Sequence, residues 1–152
     1  MNEEDREFLG RVHDLALRAE AEGNLPIAAI LVYGETMIAQ GTNRALSPSV
    51  HPGRHAEVET LRQAPDAIWQ SAGELTLYTS LEPCLMCFGA IVLHRLGRVV
   101  FGASDPRGGA LSLIPHLPDY VRAKAEAIEW VGPAWPERFD PLARRALKVG
   151  SW

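Results

Sequence analysis

The chain has 152 residues, 47% hydrophobic and 22% charged, the make-up of an ordinary globular protein and the length of one domain. A core of that size needs no disulfide staple. Its 15 Lys and Arg against 19 Asp and Glu give a net charge of −4, which argues against a generic nucleic-acid coater, since those carry a basic surplus. The acidity is local: residues 1–22 hold seven acids and three Arg, so that stretch accounts for the whole excess. Acids stand where an export signal would place basic residues, and the run Ile27–Tyr33 is far shorter than the ~20 residues that span a bilayer. The expectation is a cytoplasmic protein with no membrane partner and with Cys84 and Cys87 as reduced thiols.

In chain order, Phe8, Val12, Leu15, Ala16 and Ala19 recur at helical spacing, and Gly23-Asn24 ends that helix. Pro26–Tyr33 and Thr36–Gly41 are apolar runs around Gly34-Glu35, a hairpin pattern. A Ser/Pro/Gly-rich loop, 43–54, precedes a helix over His55–Ala64. Leu75–Ser80 is a strand, and Pro83 is expected to open a helix through about Arg95. Arg98–Gly102 is a strand followed by a Gly/Pro-rich loop, Asp119–Ala127 a helix, Ile128–Val131 a fifth strand, and Pro141–Val149 the last helix. This alternation predicts an α/β fold: a largely parallel sheet with helices on both faces.

Two short strings carry the chemistry, His55-Ala56-Glu57 and Pro83-Cys84-Leu85-Met86-Cys87. One His and two Cys suit Zn²⁺, and three protein ligands leave a fourth position open. Both strings sit at predicted helix N-termini, where the backbone favours thiolate over thiol, and the i, i+3 spacing puts both sulfurs on one helix face. Alone, His-Ala-Glu means nothing, and Pro-Cys-x-x-Cys is as readily a structural zinc half-site or a redox pair. A redox pair of thioredoxin type would follow the first strand, not the third, and no second C-x-x-C or H-x-x-x-H completes a closed zinc site. Glu57 discriminates, because a hydrolytic site needs a carboxylate beside the metal to move protons.

Residues 55–57 and 83–87 match H-x-E…P-C-x-x-C, and the chain resembles the zinc-dependent cytidine-deaminase superfamily. Asn43 within Thr-Asn-Arg, LYTSLEPCLMC at 77–87, GAI at 89–91 and GRVVFGASD at 97–105 are similar to the branch of tRNA adenosine deaminases and bacterial guanine deaminases. The resemblance implies one deaminase domain over residues 1–152, a three-layer α-β-α sandwich on a five-stranded mixed sheet. It implies one Zn²⁺ on His55, Cys84 and Cys87, and Glu57 as proton shuttle. Asn43 would bond the base, and the backbone of Ala56, Ser80, Leu81 and Glu82 would line the pocket. It also implies a homodimer formed near Phe88, Ile91, Val92 and His94-Arg95, with Trp152 capping a flat heterocycle.

For the substrate, Gly53-Arg54, Asn24–Ala29 and Gln70–Gly73 depart from the tRNA deaminase pattern. From Glu137 onward there are only four basic and two acidic residues, not a basic extension, and Arg44, Arg54 and Arg107 read as solubilising surface. Those three arginines flank the expected site mouth, and phosphate binding is the alternative reading of them. Ser112–His116 replaces the Phe-Asp-Asp stretch of guanine deaminases. The expected substrate and partner is therefore a free, purine-type nucleobase or related small heterocycle. The alternative is a tRNA or nucleoside adenosine deaminase, with tRNA not favoured. An alternative of another class is a non-catalytic zinc protein of the same fold, against which Glu57 counts.

Overall fold

The computed structural model describes residues 1–149, beginning with a helix that its own sequence caps. Asn2 Oδ1 accepts the amide of Asp5 at 2.7 Å, and Asp5 Oδ2 accepts the amide of Asn2 at 3.1 Å, a reciprocal cap that satisfies two donors the helix cannot. The elements that follow are α1 (Glu3–Ala21), β1 (Ala28–Tyr33), β2 (Thr36–Thr42), α2 (Ala56–Gln63), β3 (Leu75–Leu81), α3 (Leu85–His94), β4 (Arg98–Ala103), α4 (Asp119–Glu126), β5 (Glu129–Val131) and α5 (Pro136–Val149).

The five strands form one mixed sheet in the order β2-β1-β3-β4-β5. β1 runs antiparallel to both β2 and β3, while β3, β4 and β5 are parallel. Consequently β2, β3 and β4 all end, and β1 begins, at the same edge of the molecule. Along β1, Ala29 and Leu31 face a cluster with Leu61, Phe88, Ile91 and Ile128, whereas Ala28, Ile30 and Val32 face Phe8, Leu9, Val12, Phe139 and Leu142. Both faces are buried, so the strand reads as an unbroken apolar run, not an alternation. Helices α2, α3 and α4 cover one face and α1 and α5 the other, giving the expected three layers. Each large apolar side chain so buried contributes about 1.5–3 kcal/mol. Among the described residues no helix is long and apolar enough to cross a membrane.

Three expectations are corrected. Pro83 does not open α3: Cys84 is its N-cap in extended backbone (φ −70°, ψ 172°) and Leu85 its first residue. The chain stays extended there because Pro83 O accepts the amide of Ala110 at 3.0 Å and Cys84 pairs with Gly109. The last helix begins at Pro136, not Pro141, because Trp135 O takes the amides of Arg138 and Phe139, both at 3.1 Å. Phe139 then packs flat on β4 at Gly102, where any Cβ would collide with its ring. Phe88, Ile91 and Val92 are core residues against the sheet and offer nothing to a second subunit. The apolar side chains that α3 does expose are Leu85, Met86 and Leu93. Two short 3-10 stretches, Asp66–Glu74 and Leu111–His116, carried no 3.6-residue periodicity to reveal them.

Candidate active site

At the edge where β2, β3 and β4 end, two helices begin. His55 is the N-cap of α2 and Cys84 the N-cap of α3, with Cys87 in its first turn. His55 Nδ1 lies 3.4 Å from Cys84 Sγ and 3.6 Å from Cys87 Sγ, and the three donors lie within 4.8 Å of one another. Bonds of about 2.3 Å to sulfur and 2.0 Å to nitrogen, at tetrahedral angles, set those atoms about 3.6 Å apart. The His55 nitrogen therefore stands at nearly the corner-to-corner separation of a zinc tetrahedron from each sulfur. Their identity, one imidazole and two thiols, also fits a single Zn²⁺.

Glu57, in the first turn of α2, is only 4% exposed. Its Oε1 accepts the hydroxyl of Thr79 at 2.9 Å and its Oε2 the thiol of Cys87 at 3.3 Å. Burial pushes this carboxyl's pKa up, and the negative charge of Cys84 adds to the effect. Cys84 is drawn down to about 4, chiefly by its interaction with the neighbouring Cys87; burial opposes this and the bond to His55 assists. Cys87 is pushed up by that same interaction with Cys84 and by burial. His55 is raised by its bond to Cys84 against the cost of burial. The two cysteines therefore titrate as a pair, and metal uptake, which needs both as thiolates, releases the proton they hold.

The cleft over these groups is lined by Leu25, Ile27, Asn43, His55, Glu57, Leu81, Glu82, Cys84, Asp105, Ala146 and Leu147. Asn43 is buried; its Oδ1 accepts the amide of Ala45 at 3.1 Å. Among the described residues its Nδ2 has no partner, so it remains able to donate into the cleft. Of the residues expected to line the pocket, Leu81 and Glu82 do so. Ala56 and Ser80 are buried and not part of its lining; Ala56 O accepts the Thr60 hydroxyl at 2.8 Å, and Ser80 Oγ accepts the amide of Ala28 at 3.1 Å. The Glu82 carboxylate holds a loop, accepting the amides of Asp105 at 3.2 Å and Leu111 at 3.3 Å. Gly109 lets that loop pass close to the carboxylate, since a Cβ there would displace it from these bonds. Trp152 lies outside the described residues.

Sequence reasoning missed Thr79, whose signal is only its register on β3 opposite Ala29. It also missed that the end of α5 brings Ala146 and Leu147 to the cleft. Removal of one sulfur tests the ligand set: Cys84→Ala is expected to abolish stable zinc retention on dialysis, read by elemental analysis, while a Leu85→Ala control on the exposed face keeps about one zinc per chain.

The comparisons agree with this geometry. A tRNA-specific adenosine deaminase of Bacillus subtilis is 41% identical over 104 residues, which are 67% of this chain and 63% of that protein. The aligned stretch thus spans under two-thirds of that relative. A structure solved in studies of A-to-I editing by tRNA deaminases at the wobble position superposes with a TM-score of 0.71 at 31% identity, covering 83% of this chain and 96% of the other. A guanine deaminase from Nitrosomonas europaea has a TM-score of 0.66 at 24% identity over 93% of this chain and 81% of the other, a likeness of fold alone. These findings overturn the expectation of a free nucleobase as substrate and partner, which rested on three short departures and a missing basic run. Outweighing those departures are the 41% identity over 104 residues with that tRNA-specific adenosine deaminase and the superposition at 31% identity on the structure from the tRNA deaminase studies. The family described as the cytidine and deoxycytidylate deaminase zinc-binding region matches residues 2–103, and with its three donors and buried glutamate in place, this chain belongs to that family.

Proposed function

We propose that the chain is a zinc-dependent hydrolytic deaminase whose substrate is an adenosine within tRNA, converted to inosine with release of ammonia. The observation that carries the hydrolytic reading is Glu57, a buried carboxylate at 3.3 Å from one of the metal-binding sulfurs. Support for tRNA is the similarity to tRNA-specific adenosine deaminases in sequence and in structure.

When bound, zinc supplies an open fourth coordination position and the Lewis acidity that makes water a nucleophile near neutral pH. The chain does the rest. Asn43 donates its amide to an acceptor on the bound base and fixes how deep the base sits. Glu57 takes a proton from the attacking water and delivers it to the adjacent ring nitrogen as the C–O bond forms. As the C–N bond breaks, Glu57 carries a second proton from the new hydroxyl to the leaving amino group, which departs as ammonia. Thr79 holds Oε1 of that carboxylate, so Oε2 is the oxygen that faces the reacting atoms. Burial keeps Glu57 basic enough to accept the first proton.

The test is incubation of the zinc-loaded protein with tRNA transcripts bearing adenosine at the wobble position, read as inosine by sequencing. Ammonia release from free adenine, guanine, cytosine and adenosine is measured in parallel. Inosine in the tRNA is the expected result. Turnover of a free base with no change in any tRNA overturns the proposal.

A further inference from the structure

The cleft is flanked by two clusters of cations that lie far apart in the sequence. On the β2 side, Arg44, His51, Arg54, Glu59 and Arg62 line one depression. Arg54 is forked onto Glu59 at 3.1 and 3.2 Å, so three guanidiniums share the one carboxylate of this depression, and among the described residues neither Arg44 nor Arg62 has an ion-pair partner. Both Arg44 and Arg62 act electrostatically on that same Glu59, which places them together. On the β4 side, Arg107, Arg144, Arg145, Leu147 and Lys148 line a second depression that has no acid in its wall among the described residues. Arg145 is taken up by Glu20 at 2.8 and 3.1 Å, and Arg107 donates to Leu147 O at 3.2 Å. Arg144 and Lys148 have no carboxylate partner among the described residues.

Both depressions adjoin the catalytic cleft. Arg44 and Arg54 directly neighbour Asn43 and His55 in the chain, and Leu147 lines both the cleft and the second depression. The sheet order puts β1 and β3, which carry the site, between β2 and β4, so the two clusters lie on opposite sides of one mouth. Of the acids that line the cleft between them, Glu57 is the buried proton carrier, Glu82 accepts the amides of Asp105 and Leu111, and Asp105 Oδ1 accepts those of Arg107 and Gly108, both at 2.9 Å. Solubility does not require this arrangement, for the chain as a whole carries a net charge of −4. Cations gathered around one cleft of an acidic protein focus an anion there.

The two-sidedness identifies the anion. A free base carries no charge, and a mononucleotide carries its phosphate on one side only. A base turned out of a continuing strand into a deep pocket leaves a phosphate on each side of the mouth. We infer that a single-stranded segment of RNA crosses this mouth, with phosphates on one side of the target nucleotide held by Arg44 and Arg62 and those on the other by Arg144 and Lys148. This rests on the tRNA reading above and adds to it the surface by which the strand is held.

The experiment measures binding of an anticodon stem-loop RNA to the zinc-loaded protein by fluorescence anisotropy between roughly 50 and 200 mM salt, where each single-strand phosphate contact contributes about 0.7 to the slope of log K against log salt. Arg44→Gln with Arg62→Gln, and separately Arg144→Gln with Lys148→Gln, are each expected to lower the slope by about 1.4. All four side chains are exposed, so the variants keep the wild-type melting temperature. Arg95→Gln with Lys124→Gln, in a depression flanked by Leu96 and Gly97 before β4 begins, removes the same charge at the other end of the sheet and should leave the slope unchanged. Equal losses in all three variants, or none in either flanking pair, overturn the surface while leaving the deaminase reading intact. A wild-type protein that binds with these slopes yet forms no inosine supports the surface and removes the substrate assignment. Absence of salt-dependent binding overturns the surface as well.

Discussion

Glu57→Gln is expected to keep the fold and about one zinc per chain while losing roughly 10²–10⁴-fold in turnover, the usual worth of a general acid–base group. The amide is nearly isosteric and can still accept the Thr79 hydroxyl, now 2.9 Å from Oε1, so the geometry survives. What disappears is the capacity to take a proton and return it. Zinc content separates this from metal loss, because Glu57 is not among the three donors that converge. A variant with intact zinc and near wild-type rate would remove Glu57 from the proton path. Thr79→Val gives a graded companion test: losing one hydrogen bond to a carboxylate is worth about 1.4 kcal/mol, roughly tenfold in kcat, with KM little changed. Thr79→Ser should restore it, since serine keeps the hydroxyl that a merely space-filling role would not need.

The metal ligands were legible because their chemistry is written in contiguous strings. His55 and the Cys84–Cys87 pair each begin a helix, and the rules for helix starts operate over four residues of local sequence. Thr79 was not legible, since its meaning depends on which strand lies beside it and which helix lies above. The same limit explains the misreading of the substrate. Counting cations along the chain finds no basic stripe, whereas the fold gathers Arg44, Arg54 and Arg62 from a loop and α2, and Arg107, Arg144 and Lys148 from a loop and α5. The departures at Asn24–Ile27 do bear on the site. Leu25 and Ile27 line the cleft, and Asn24 Oδ1 accepts the amides of Leu46 at 3.1 Å and Ser47 at 2.9 Å, holding the loop that follows Asn43. Those residues therefore shape the site wall, and a composition-level reading had no means of telling that from a change of substrate class.

Away from the site, Asp5→Asn is expected to destabilise the protein by about 3 kcal/mol, the lower end of the cost of breaking a buried ion pair from one side. Asp5 is 1% exposed and receives three bonds across the sheet face: Arg98 Nη1 at 2.6 Å, Arg98 Nη2 at 3.0 Å and the Tyr78 hydroxyl at 2.9 Å. These tie α1 to β3 and β4, and asparagine would leave the guanidinium with only the exposed Glu129, 3.2 Å away. Burial by itself pushes the Asp5 carboxyl upward, but the bonds from Arg98, Asn2 and Tyr78 overcome it and hold the pKa below the usual carboxylate range. A depressed pKa in the folded state means the unfolded chain binds its proton first as pH falls. The stabilisation is therefore complete above about pH 4, the unfolded value, and is lost as pH drops through the folded value. At pH 7 the variant should melt about 6–12 °C below wild type, at 2–4 °C per kcal/mol for a chain of this size. The gap should narrow steadily below pH 4. A gap that stays constant into acid would mean the loss comes from helix capping or packing, and a shift under about 2 °C at pH 7 would mean the cluster does not hold α1 to the sheet.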